Sequence, residues 1–306
     1  MQFVYAFHMP LFFCIAGYFI SDKKPFVIFV REKAKRLFYP YGVSCAGFVI
    51  LNVLKNPTIY RFLELLYIAA YGCGNGQGSV YYNFSEAQFM RTGEIGMFWY
   101  VWALFWGLLM VKASSYTKVQ PLLILVVSLM GICSSKFFWL PFSLQNGMAV
   151  SFWTYLGYLI KRHNLLTTQV FKSKKKWFIA GVSVLLFSAS VLFGQTHLYR
   201  NYYGLGIIDV LGAISGCVLV YWISCRIASN DGIIKRFLVW CGRCSFLIYS
   251  IHFLEDKVYP VANLVGNLDY SKNALFVLSF VLTAAFCLLG CFLLQRLSII
   301  KKLYAL

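Results

Sequence analysis

Nine stretches of this chain are too apolar and too long to belong to the core of a water-soluble domain. They lie near residues 2–20, 37–54, 95–111, 119–135, 144–160, 177–194, 204–225, 237–253 and 273–295. Each has roughly the 17–25 residues that an α-helix needs to cross the hydrocarbon of a bilayer; those at 119–135 and 144–160 are the weakest. Composition agrees: 60% of the 306 residues are hydrophobic and 12% charged, with a mean hydropathy of +0.70. A soluble domain carries about 45–50% apolar and about 25% charged residues. The expected fold is an all-α integral membrane bundle of about nine transmembrane helices, one domain over residues 1–306, in direct contact with the lipid bilayer.

Charge then sets the expected topology. Of the 28 Lys and Arg, twenty fall in alternate inter-span segments, including six in 21–36 and six in 161–176. The facing segments hold seven, three of them in the long loop around 55–94, and Arg243 lies inside a span. The positive-inside rule places the rich side, and with it the C-terminus, in the cytoplasm of a cell membrane. The net charge of +18 is thereby explained by topology and lipid headgroups, so nucleic acid is not an expected partner. The N-terminal stretch lacks the leading basic residues and the small-residue site of a signal peptide. Its outward start, with no orienting charge, suggests that a helix is missing upstream. The segment "YGCGNGQGSVYYNFSEAQ" reads as a Gly-rich surface excursion.

The ten Cys give no disulfide pattern. Cys241 and Cys244 have C-x-x-C spacing, but no second pair or His cluster completes a zinc site, so no metal is expected.

Polar residues in hydrocarbon are costly, and by default they suggest function. His8, Glu94, Asp209 and His252, the last followed by Glu255 and Asp256, fall at a similar outer depth on four different stretches. They are candidates for a shared polar cavity; the plainer reading makes each a helix-end residue at the interface. Ser245, Tyr249 and His252 are spaced i, i+4, i+7, a single helical stripe suited to a hydroxylated ligand, a proton relay or interhelical hydrogen bonds. Trp99, Trp102 and Trp106 form a second stripe, suited to sugar stacking or to packing. Gly212 and Gly216 form a small-residue packing motif.

The segments "YAFHMPLFFCIAGYFI" (5–20), "KRLFYPY" (35–41), "FWYVWALF" (98–105) and "GRCSFLIYSIH" (242–252) resemble the acyltransferase-3 superfamily of membrane O-acyltransferases. The resemblance is closest to the fucose 4-O-acetylase-like and polysaccharide O-acyl-transfer branch. His8, Pro10, Phe12, Phe13 and Gly17 match the first motif; Gly242, Arg243, Ser245, Ile248, Tyr249 and His252 match the last. The resemblance implies a bundle of about ten helices, here lacking the first. That bundle takes an acyl group, usually acetyl, from acetyl-CoA as co-substrate, and passes it to a hydroxyl of a glycan or lipid-linked sugar.

Such transfer needs a base of near-neutral pKa and donors for the oxyanion. The candidate catalytic residues are His8, His252, Glu94 and Asp209, a carboxylate orienting a histidine. Ser245, Tyr249, Trp99 and Trp102 are candidates for holding the acceptor, and Lys33, Lys35 and Arg36 for the phosphates of CoA. No permanently bound cofactor is expected. The rival readings are a glycolipid transporter or flippase without chemistry, and an inactive fragment. The sequence leaves the oligomeric state open.

Overall fold

The computed structural model describes residues 2–74, 94–167, 175–265 and 271–304. In chain order the helices are α1 (Gln2–Tyr5), α2 (His8–Tyr18), α3 (Phe26–Lys55), α4 (Ile59–Tyr71), α5 (Trp99–Ser114), α6 (Gln120–Ser134), α7 (Leu144–Arg162) and α8 (Lys175–Phe193). A two-stranded hairpin follows, β1 (Thr196–His197) and β2 (Tyr202–Tyr203). Then come α9 (Ile207–Ala228), α10 (Ile233–Arg243), α11 (Ser245–Val258), α12 (Ala262–Val265), α13 (Lys272–Leu294) and α14 (Ser298–Tyr304). All nine apolar stretches are helical, and the protein is a multi-pass helical membrane bundle.

Among the described residues, α3, Gly96–Ser114, α9 and α13 are each long and apolar enough to cross a membrane alone. Phe3–Tyr18, α6 and Trp177–Phe193 are apolar but shorter. Helix α7 is less apolar for a physical reason: it is packed on three sides and buries Gln145, Asn146, Ser151 and Thr154. A helix that meets protein rather than lipid can carry such groups, provided they find partners.

Three expectations need correction. The stretch 237–253 is not one straight helix: α10 and α11 are bent by 69° at Cys244. Lys235, Arg236 and Arg243 on α10 would be costly in hydrocarbon, so it departs from the axis of α11. Its exposed Ile233, Ile234 and Phe237, with those cations, suit a helix lying in a headgroup layer. The basic cluster Lys33, Lys35 and Arg36, expected in a loop, lies within α3, because the good helix formers of Arg31–Arg36 continue the helix and no Gly or Pro interrupts it back to Phe26. The start of the long loop around 55–94 is helical as well: Thr58 Oγ1 accepts from the Arg61 amide and opens α4. The Gly-rich residues 75–93 lie outside the described residues.

The chain forms two compact units, Met1–Val30 with Ala70–Ser229, and Arg31–Ala69 with Asn230–Leu306. In the first, α7 packs against α2, α5 and α6, and α8 pairs with α9. The α2–α7 crossing is unusually close. A Cβ on Gly17 would lie 1.9 Å from the Thr154 carbonyl oxygen, and one on Gly157 1.8 Å from that of Cys14. The Gly212/Gly216 motif packs α9 as its spacing suggested: Gly212 abuts Ser190 of α8, and Gly216 abuts Phe7 and Phe187.

Two lysines tie down the chain that leaves α2. Lys112, fully buried, donates to the carbonyls of Ser21 (2.9 Å) and Asp22 (3.2 Å), and Lys161 donates to that of Ile20 (2.8 Å). Lys112→Met keeps the length but leaves the Ser21 and Asp22 carbonyls without this donor. It is expected to cost about 1–3 kcal/mol, read as a lower midpoint in denaturant titration of the detergent-solubilised protein. An unchanged midpoint would show that water replaces the ammonium.

In the second unit α11 packs on α13. Cys244, Leu247, Ile251, Cys287 and Cys291 form its apolar core, and Trp240 Nε1 donates to Gln295 Oε1 at 2.9 Å. The second cysteine of the C-x-x-C pair is thus packed among apolar side chains, as a small hydrophobe.

Candidate functional site

The Ser245–Tyr249–His252 stripe survives the helix break, because all three residues lie on α11. Ser245 is exposed, Tyr249 half-buried, and the His252 side chain 43% exposed. One turn on, at i+3 from His252 and so on a neighbouring face, Glu255 is buried, its side chain only 4% exposed. Its Oε2 lies 3.0 Å from His252 Nδ1. Its other oxygen accepts from the Val261 amide at 2.7 Å, with the Thr283 hydroxyl at 3.5 Å. Both oxygens are engaged, so the carboxylate is held in one orientation. The end of α11 is fixed in turn by Lys55, whose ammonium donates to the Val258 carbonyl and lies 3.7 Å from the centre of the Tyr259 ring.

The chemistry of this pair follows from donor and acceptor capacity. An ionised carboxylate can only accept, so the proton of the His252 imidazole sits on Nδ1. Nε2 then carries the lone pair. A partly exposed imidazole, held in one tautomer by a buried carboxylate, is equipped to take a proton from a hydroxyl.

The first unit holds the other three titratable candidates. His8 begins α2, and its Nδ1 donates to the Val4 carbonyl at 2.7 Å. This again leaves Nε2 as the basic nitrogen. Glu94 is exposed and pairs in a short bridge with Cys73; the next amide, Ile95, donates to the Cys73 carbonyl at 2.8 Å.

Asp209 is fully buried. Its carboxylate accepts from Ser190 Oγ (2.9 Å) and from the amides of Leu205 (2.9 Å) and Gln195 (3.3 Å). None of these partners is a histidine: Asp209 anchors the base of the β1–β2 hairpin.

Trp99 is buried against Phe13 and Gly74, while Trp102 packs on Gly72 and lies 4.7 Å from the Phe142 ring. Trp106 Nε1 donates to the Phe142 carbonyl at 3.1 Å. The tryptophan stripe is thus built into the packing of the first unit. His252, Ser245 and Tyr249 belong to the second unit, as do Lys33, Lys35 and Arg36; Lys35 and Arg36 are exposed on α3. Among the described residues, no group of three or more His, Cys, Asp or Glu could hold a metal ion.

Two residues stand out that the sequence reading gave no role. Glu255 was visible as His-x-x-Glu, a helical spacing that sets a carboxylate beside an imidazole. His197 was signalled only by its aromatic neighbours in "THLYRNYY". Its ring stacks on Tyr202 (6.4 Å, 19° between planes) and meets Tyr199 edge-on at 5.7 Å. Burial, and then the charge of Arg200, hold its pKa below the usual imidazole value, so it is neutral at pH 7.

A multi-pass helical bundle with polar histidines on its helices describes a class of membrane proteins. Comparison with known proteins gives the family: a family model described as an acyltransferase domain matches residues 1–296. The chain belongs to the acyltransferase-3 family of membrane acyltransferases. It is also similar to the nodulation protein NolL of Mesorhizobium japonicum, 27% identical over 112 residues. That match covers 36% of this chain and 24% of NolL, so the chain spans about a quarter of the relative it matches. No solved structure matches.

Proposed function

We propose that this protein is an O-acyltransferase that moves an acyl group, acetyl in the simplest case, from acyl-CoA to a hydroxyl of a cell-envelope glycan or lipid-linked sugar. The observation that supports this reading best is the His252–Glu255 pair. Sugar hydroxyls are weak acids, so attack on a thioester carbonyl needs a base that removes the proton as the C–O bond forms. His252 Nε2 is that base. Glu255 holds the ring and stabilises the imidazolium once the proton has arrived. The proton then passes to the departing CoA thiolate, which closes the proton balance. The Tyr249 and Ser245 hydroxyls, on the same stripe, hold the acceptor or the developing oxyanion. Lys35 and Arg36, exposed on α3, suit the CoA phosphates, and the cell membrane, with the C-terminus cytoplasmic, is the setting that the charge asymmetry favours.

Membranes containing the protein, supplied with acetyl-CoA labelled in the acetyl group, are expected to place label in an alkali-labile ester on the glycan fraction. Membranes without the protein should not. Label that stays in acetyl-CoA with every envelope fraction would overturn the reading and favour passage of a glycolipid without chemistry.

A further inference from the structure

We propose that the β1–β2 hairpin is the docking platform for one pyranose ring of the acceptor, stacked on Tyr202 and hydrogen-bonded by Arg200 and His197. The inference deepens the acyl-transfer reading and rests on it for the word acceptor. The binding claim stands on the hairpin itself.

The first observation is how firmly a short exposed loop is held. Gly204 N donates to the Gln195 carbonyl at 2.8 Å and closes the hairpin, while Asp209 accepts from its two flanking amides. Asn146, fully buried on α7, donates to the carbonyls of Leu198 (2.9 Å) and Tyr199 (3.2 Å) and to Asn201 Oδ1 (3.2 Å). Asn201 takes a left-handed backbone, φ 51°, and its amide reaches the Gly131 carbonyl at 3.3 Å. Trp153 Nε1 donates to the Tyr203 hydroxyl at 3.0 Å. Three helices, α6, α7 and α9, thus contribute polar groups to a hairpin of two short strands. A surface connection needs no such fixing for stability. A binding loop does, because rigidity removes the entropy cost of ordering it around a ligand.

The second observation is what the fixed loop presents. Tyr202 is 49% exposed. One face of its ring is taken by His197. Arg200 is exposed, with its guanidinium carbon 5.3 Å from the centre of the Tyr199 ring. An aromatic face beside N–H donors complements a pyranose, which offers an apolar C–H face and a rim of hydroxyls.

Third, the hairpin is not fully satisfied. Thr196 Oγ1 and His197 Nδ1, on consecutive residues, are buried and have no hydrogen-bond partner among the described residues. Buried polar atoms in native folds are nearly always bonded, and two orphans in so well-bonded a loop mark the place where hydroxyls or ordered water complete the network. Helix α1 packs on β1, and the Val4 carbonyl of α1 receives the His8 Nδ1 proton, so the hairpin adjoins the start of the helix that carries His8.

Interfacial anchoring is the competing role for exposed tyrosines and arginine, and the experiment separates the two. The full chain in nanodiscs is mixed with methyl α-pyranosides of glucose, galactose and fucose, and saturation transfer from protein to sugar protons is read by NMR. Transfer to the C–H protons of one ring face is expected for at least one sugar. Tyr202→Ala is expected to reduce it roughly tenfold, the factor that corresponds to about 1.4 kcal/mol. Tyr202→Phe, which keeps the stacking face, should retain it. No transfer to any pyranoside, or equal transfer in Tyr202→Ala with normal protein recovery, would overturn the proposal. Acyl transfer that persists with an unchanged acceptor KM in Tyr202→Ala would sink the platform and leave the transferase reading intact. Stacking without any acyl transfer would do the reverse.

Discussion

His252→Ala is expected to lower acyl transfer by roughly 10²–10⁴-fold, the range for loss of a positioned general base, while the amount of protein in the membrane stays the same. The reason lies in where the ring sits. His252 is half-exposed on α11 and makes its hydrogen bond to Glu255 through Nδ1 alone, so its removal opens no cavity in the core formed by Cys244, Leu247, Ile251, Cys287 and Cys291. Glu255→Gln supplies the control. The amide keeps the shape of the carboxylate, but it cannot stabilise an imidazolium by charge, and it can present an N–H to Nδ1 and so reverse the tautomer. Transfer is expected to fall substantially in that variant with KM for the donor unchanged. Parallel rates in His252→Ala and the parent would remove the base assignment. Loss of protein from the membrane in Glu255→Gln, without a change in rate per molecule, would make the carboxylate a tether for Val261 alone.

The helices were legible because hydrocarbon imposes one strong rule: a segment that spans must be apolar over a fixed length. The nine stretches obey it well enough to locate α2, α3, α5–α9, the α10–α11 pair and α13. The rule says nothing about helices too short or too charged to span, which is why it passes over the 13-residue α4 and the basic first turns of α3. It is also blind to a break whose two halves are both helical; only the charges Lys235, Arg236 and Arg243 hinted that α10 leaves the axis. The candidate site was legible as residue types in a stripe. Its geometry was not, because the engagement of Asp209 by Ser190, Gln195 and Leu205, and of Glu255 by Val261, depends on chain segments that periodicity does not describe. Asp209 shows this most clearly. Its depth and charge suggested chemistry, and its hydrogen bonds tie it to the hairpin.

Gly157→Ala is expected to prevent the first unit from packing. In a lipid-facing helix this substitution would be neutral or mildly favourable, since alanine is the better helix former by about 1 kcal/mol. Here the added methyl would sit 1.8 Å from the Cys14 carbonyl oxygen, and the same crossing has Gly17 with only 1.9 Å of room before the Thr154 carbonyl oxygen. Both obstacles are backbone, so no side chain can rotate out of the way. The helices must separate by more than 1 Å to restore a normal contact. Separation breaks the Cys14 Sγ contact to the Trp153 carbonyl and pulls Phe13, buried on α2, away from the Tyr100 ring of α5, which it meets at 5.0 Å. Overpacking alone costs about 1–3 kcal/mol, and close approach through small residues is a main source of attraction between membrane helices, so the two losses compound. The same displacement carries His8 with it. Monodisperse protein should therefore be recovered in much lower yield from detergent extracts of Gly157→Ala than of the parent, and residual molecules should unfold at lower denaturant. Gly181→Ala, on α8 with nothing within 4 Å of its Cβ position, is the matched control and should behave as the parent or better. Equal behaviour of the two variants would mean that α2 and α7 do not meet as closely as their glycines allow.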